Sequence, residues 1–153
     1  MRHVIFFGNE LHGDDGFGPA VYQRLAEFDL PADVRLFDAA TRGLDALSLF
    51  DGCQHAIVVD ALEPGRHPGR VSQPAAQSLL PESAVPGHGA GLGFVLSALT
   101  ALGAPLPTII VAEAEQVRAF APGLSPAMQQ AVRVTTTLLC QMLNIQQASV
   151  GHA

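Results

Sequence analysis

The chain has 153 residues, 48% of them apolar and only 14% charged, with a net charge of −6. That is the length of one domain with ample side chains for a core. The acidic balance argues against a nucleic-acid partner, which takes a basic face, and no apolar run is long enough to span a bilayer.

Met1-Arg2-His3-Val4-Ile5 lacks the layout of a signal peptide, and the first strand starts at once; a soluble, cytoplasmic protein is expected. Val4 to Phe7 is a short apolar run, read as a buried strand. Gly8 to Gly16 forms a turn rich in glycine, closed by the adjacent carboxylates Asp14 and Asp15. Val21, Leu25 and Phe28 then predict a helix over residues 17–28. Val34 to Phe37 reads as the second strand, ending at Asp38, with a loop over Ala39 to Gly43. Leu44, Leu47, Leu49 and Phe50 suggest a short helix ended by Gly52. Ala56 to Val59 is an apolar, β-branched strand of the kind buried on both faces, ending at Asp60. Glu63 to Gly69 is a loop, and Arg70 to Gln73 a short edge strand.

Residues 73–90 are the longest stretch without a periodic pattern, and Pro81 to Ala90 is rich in Pro and Gly. Long loops in compact domains are usually functional or disordered. Leu92 to Leu102 is a helix with Val95, Leu96 and Leu99 on one face, and Thr108 to Ala112 another strand. Ser125 to Leu143 is the last helix, with Ser125 at its N-cap and Pro126 at the first helical position. Strands alternating with helices predict an α/β fold around a mostly parallel sheet, one domain over residues 1–145 with a frayed tail over 146–153.

Open sheets of this kind bind ligands beyond the carboxyl ends of their strands. Asp15, Asp38 and Asp60 lie at three such ends. If the first and third strands are neighbours, with their helices on opposite faces, a crevice opens between Asp15 and Asp60. The loop at 81–90 can reach it, and His88 is its one ligand-type side chain. Asp15, Asp60 and His88 would make a mixed oxygen and nitrogen site for a borderline divalent metal, with room left for water or substrate. An Asp at a strand end also caps the helix that follows, and a loop His is commonly solvated. Asp14 is read as such a cap, Asp15 as the residue aimed at a ligand. His12 lies in the same turn, close enough to support it.

Other chemistries fit less well. The eight basic residues are all Arg, which excludes a Schiff-base or phosphate-loop lysine. There is no GxSxG and no HExxH. Gly13, Gly16 and Gly18 have the wrong order of spacings for a dinucleotide loop, and an acidic pair there would repel phosphates. Cys53 and Cys140 are expected to be buried free thiols; Cys53 and His55, two residues apart on an extended segment, make a poor nucleophile pair.

Gly8-Asn9-x-Leu11-x-x-Asp14-Asp15-Gly16-x-Gly18 resembles the N-terminal signature of the hydrogenase maturation endopeptidases. The resemblance runs over most of the chain. Asp38-Ala39-Ala40-Thr41-Arg42-Gly43 looks like that family's Asp-Gly-Gly-Thr-x-Gly segment, with alanines for two glycines. The run from His55 to Ala61 is similar to its third strand. Gly87-His88-Gly89-x-Gly91-Leu92 resembles its His-containing loop, and Pro122-Gly123-Leu124-Ser125-Pro126 its late Gly-Leu-Ser/Thr-Pro element. The resemblance implies a three-layer α/β/α sandwich with a five-stranded mixed, mostly parallel sheet. It implies metal and catalytic roles for Asp15, Asp60 and His88, and substrate binding by Asp38, Thr41 and Gly43. It also implies a substrate, the large-subunit precursor of a nickel-iron hydrogenase, whose C-terminal extension is cut off. Nickel would arrive with the precursor, and another divalent cation could stand in for it in a crystal. The contrasting readings are a metal-binding chaperone that docks the precursor without cutting it, and a small-molecule hydrolase on the same scaffold.

Overall fold

The structure, a computed structural model, describes residues 1–42, 44–80 and 91–147. The strands are β1 (Arg2–Phe7), β2 (Val34–Ala40), β3 (His55–Leu62), β4 (Val71–Ser72) and β5 (Thr108–Glu113). The helices are α1 (Phe17–Leu25), α2 (Leu92–Ala101) and α3 (Pro126–Leu143), and single 3-10 segments cover Gly13–Gly16, Leu44–Phe50 and Ala76–Leu79. The strands form one sheet in the order β2-β1-β3-β5-β4. The first four in that order are parallel, and β4 lies antiparallel on the edge of β5. This is the five-stranded mixed sheet that was expected, with the Arg70 to Gln73 strand as its odd member.

Alternation along the central strands sends side chains to two cores. Val4 and Phe6 of β1 and Ile57 and Val59 of β3 meet Phe17, Val21 and Leu25 of α1 and Met128, Leu139 and Leu143 of α3. On the other face Ile5, Phe7, Val58, Ile109 and Val111 meet Val95, Leu96 and Leu99 of α2, with Ala46 and Ala76 from the 3-10 segments. Phe6, Phe17 and Ile5 are wholly buried, each contributing about 2–3 kcal/mol of apolar transfer. The two faces explain why β1, β3 and β5 read as unbroken apolar runs.

Three boundaries differ from the sequence reading. The second strand continues past Asp38, because Phe7 pairs with Ala40 across a register shift in which Ala39 of β2 is the extra residue; Ala40 takes a left-handed φ of 48° there. Helix α1 ends at Leu25, and Phe28 reaches the core from the turn that follows. The stretch after Gln73 contains a 3-10 segment at Ala76–Leu79, held by the burial of Ala76. Ser125 caps α3 as expected: its Oγ accepts the Met128 N–H at 3.4 Å, and Pro126 follows. Asn144 ends the helix in the left-handed conformation. No helix among the described residues is long and apolar enough to cross a membrane.

Candidate active site

The site begins where β1 stops. Beyond the Phe6–Val59 pair, β3 runs on through Asp60, Ala61 and Leu62 without a further pair to β1, so a gap opens at the carboxyl end of the sheet. Two glycines let the chain turn within that gap. Gly8 has φ 129°, and a Cβ on it would collide with the Asp15 carbonyl; one on Gly18 would collide with the Phe7 carbonyl. The first turn of α1 is thus pressed against the end of β1. The loop between them is self-knit. The Asn9 side-chain oxygen accepts the Leu11 N–H at 2.9 Å. The Asn9 N–H donates to Asp15 Oδ2 at 2.9 Å, which fixes the carboxylate while leaving it accepting capacity.

Asp15 and Asp60 line the same cleft, of about 760 Å³, together with Phe7, Gly8, His12, Thr41, Leu62, Glu63, Gly91 and Val117. Asp60 keeps some surface on the cleft but has protein on most sides. Its carboxyl is pushed up to about 7, first by burial and then by the negative charge of Asp15, while the Ala61 N–H, donating to Oδ1 at 2.8 Å, pulls the other way. Two carboxylates share the cleft, and the more buried one responds by holding its proton near neutrality. A divalent cation would relieve that repulsion, so the donor set fits a hard or borderline metal. Among the described residues no third His, Cys, Asp or Glu completes a metal cluster.

Asp14 does something else. It is 1% exposed. Its Oδ2 accepts the N–H groups of Glu115 and Gln116 at 2.8 and 3.0 Å and the Ser125 hydroxyl at 2.9 Å, and its Oδ1 accepts the Ser125 N–H at 2.7 Å. Burial pushes its pKa up, but these four bonds outweigh it and hold the carboxyl below its ordinary value. The reading of Asp14 as the cap of α1 is therefore corrected: the N-cap of that helix is Gly16, with no side-chain bond. The carboxylate instead binds the β1 turn to the segment between β5 and α3.

The family model of the hydrogenase maturation proteases matches residues 19–142. The chain belongs to this family. It is a family of peptidases, and the match runs from the start of α1 to the last turn of α3. A hydrogenase expression/formation protein, HupD, of Rhodobacter capsulatus is 43% identical over 67 residues, 43% of this chain and 32% of that protein. The HupD of Bradyrhizobium diazoefficiens is 27% identical over 152 residues, 92% of this chain and 76% of its own length. Thus the chain spans about a third of the first relative and three quarters of the second. The hydrogenase maturating endopeptidase HybD from E. coli has the same fold, with a TM-score of 0.78 at 24% identity, covering 94% of this chain and 91% of that one.

Set against this family's expected residues, Asp15, Asp60 and Thr41 come together on the cleft. Asp38 does not: it is exposed within β2, and its Oδ1 accepts the Ala40 N–H at 3.0 Å. His88 and Gly43 lie outside the described residues, as does the whole Pro81 to Ala90 loop; Gly91, which follows that loop, lines the cleft. The cysteines are free, Cys140 buried and Cys53 half-buried. Burial pushes the Cys53 thiol up, its S–H donates to the Phe50 carbonyl at 3.1 Å, and His55 faces Thr108 instead. No nucleophile pair forms there. Leu62, Glu63 and Val117 are cleft residues that the sequence reading passed over. Leu62 and Glu63 could have been found by extending the β3 overhang; nothing local marks Val117.

Proposed function

We propose that the protein is a cytoplasmic endopeptidase that removes the C-terminal extension of the nickel-loaded large-subunit precursor of a nickel-iron hydrogenase. The observation that carries this reading is the pairing of Asp15 and Asp60 on one open cleft in a chain of this family. The names of the HupD relatives and of the HybD endopeptidase support the choice of substrate. The nickel belongs to the substrate. Asp15 and Asp60 offer oxygen ligands to it, and His88 would supply a nitrogen from the loop that enters α2. Cation entry displaces the proton that Asp60 holds near neutrality. The ion thereby registers the precursor against the cleft, and an oxygen of Asp15 or Asp60 that does not ligate it takes a proton from the attacking water and passes it to the nitrogen of the departing C-terminal peptide. Thr41, on the cleft at the end of β2, contacts the substrate chain, and Gly43 is assigned the same role from the sequence.

The test is mass spectrometry of the precursor before and after incubation with the protein, once loaded with nickel and once metal-free. A single shortened large subunit from the loaded precursor alone is expected. No shortening of either form refutes the peptidase reading. Equal shortening of both refutes recognition through nickel.

A further inference from the structure

Large apolar side chains are exposed at five places among the described residues: Val117 (45%) lines the cleft, Phe120 (83%) stands against the cleft residue His12, and Leu11 (50%), the chain neighbour of His12, lines a separate hollow. The other two, Leu102 at the end of α2 and Val134 on α3, stand apart from the cleft. Phe120 carries a second cost. Its φ is 57°, a left-handed conformation that a bulky side chain rarely adopts. A large apolar group held in water on a strained backbone calls for a reason, and such strain concentrates at binding sites.

Its neighbours indicate the reason. The Phe120 ring meets the His12 ring edge-on, with centroids 5.7 Å apart. His12 and Val117 both line the cleft that holds Asp15 and Asp60. The two segments run side by side: His12 bridges Ala121 in parallel, and the Asp14 N–H donates to the Gln116 carbonyl at 2.9 Å. Gly13, at a left-handed φ of 60°, sits close against the Gln116 and Arg118 backbone, where a Cβ would come within 3.1 Å of the Gln116 carbonyl oxygen. Asp14 then binds Glu115, Gln116 and Ser125 from beneath. The ledge of His12, Val117 and Phe120 is thus fixed before anything docks, which lowers the ordering cost of binding. It is also continuous with the cleft through His12 and Val117, so it lies in reach of a chain whose scissile bond is over the carboxylates.

We infer that His12, Val117 and Phe120 form a specificity ledge that receives an apolar side chain of the substrate polypeptide beside the bond that is cut. This rests on the endopeptidase reading above. The occupant is an extended peptide segment, because the ledge is a shallow rim continuous with an open cleft and not an enclosed pocket.

The experiment compares the wild type with the double variant Phe120→Ser, Val117→Ser on nickel-loaded precursor. It adds precursors in which each apolar residue flanking the cut is changed singly to Ser. The variant should raise KM about tenfold or more, the usual range for lost apolar contacts, with kcat and melting temperature near those of the wild type, since both side chains are exposed. One precursor substitution should cost the wild type a similar factor and cost the variant almost nothing, the non-additivity expected of groups in contact. An unchanged kcat/KM in the variant overturns the inference, as does a loss that is additive with every precursor substitution. If the variant alters only self-association in sedimentation and not cleavage, the ledge serves a second copy of the chain, and the inference is wrong. Absence of cleavage by the wild type overturns the functional reading, and this inference with it; cleavage by the wild type alongside an indifferent variant overturns this inference alone.

Discussion

Asp60→Asn is expected to stabilise the protein and disable it at once. In the folded protein the Asp60 carboxyl titrates at about 7, against an ordinary 3.8. A gap of about three pH units corresponds to about 4 kcal/mol of differential interaction. The side chain keeps some surface on the cleft, where water screens it, so about 1–3 kcal/mol is the working expectation. The sign follows from proton binding. The folded state holds this proton to a higher pH than the unfolded state does. Stability is therefore present in full below about pH 4, falls as pH rises through about 7, and levels off above that. Asparagine cannot ionise, yet its carbonyl oxygen can still accept the Ala61 N–H that Asp60 accepts at 2.8 Å. Urea unfolding of both proteins across pH 4 to 8 is the assay. The two should be nearly equal at the acid end, and the variant should lead by about 1–3 kcal/mol at the alkaline end. Precursor processing by the variant should fall by about a hundredfold or more, as losing a charged ligand implies. A stability difference that does not change with pH, or a variant weaker than the wild type at pH 8, would refute the argument that burial and Asp15 strain this carboxyl.

Two further substitutions test the packing. Asp14→Asn should cost about 3 kcal/mol, since whichever way the amide turns its NH2 faces a backbone N–H, that of Ser125 at the least, and the charge that strengthens all four bonds is lost; a loss under about 1 kcal/mol, the worth of a simple cap, would show that these bonds carry little. Because the folded Asp14 carboxyl lies below its ordinary value, its contribution should be present above about pH 4 and vanish as the medium is acidified through that lower value. Thr135→Val should gain about 1 kcal/mol in the same unfolding assay, because the buried Thr135 Oγ1 has no partner among the described residues. Thr136→Val, which breaks a bond to the Val132 carbonyl at 2.7 Å, should gain nothing.

Much of the frame could be read from the chain because its signals are local. β1, β3 and β5 announce themselves as apolar runs, since both faces of the sheet centre are covered. Ser125-Pro126 marks the start of α3 through chemistry confined to one turn. The strand ends were legible as the place for a site, and Asp15 and Asp60 do share a cleft. What failed was set by distant partners. Asp15 was legible as the carboxylate aimed outward, but Asp14 read as the cap of α1, because its donors on Glu115, Gln116 and Ser125 lie more than a hundred residues along the chain and leave no local mark. β2 runs beyond Asp38 because it bulges at Ala39 and pairs Ala40 with Phe7, which no local pattern encodes. Phe120 in sequence is an unremarked apolar residue in a turn; its exposure and its contact with His12 exist only in three dimensions.

The Asp14 hub also has a bearing on when the site can exist during synthesis. Its most remote partner, Ser125, lies 111 residues further along the chain. The turn that presents Asp15 emerges from the ribosome early, with β1, but its supporting bonds form only after nearly the whole sheet has been made. Closing so long a loop is slow relative to forming adjacent strands and helices. A nascent chain that stops short of β5 can pair β1, β2 and β3, yet it leaves the Asp14 carboxylate without its donors, all of which follow β5, and it lacks Val117 and Phe120 of the ledge. The cleft is therefore among the last features to become organised, and a truncated chain carries the residues of the site without their arrangement.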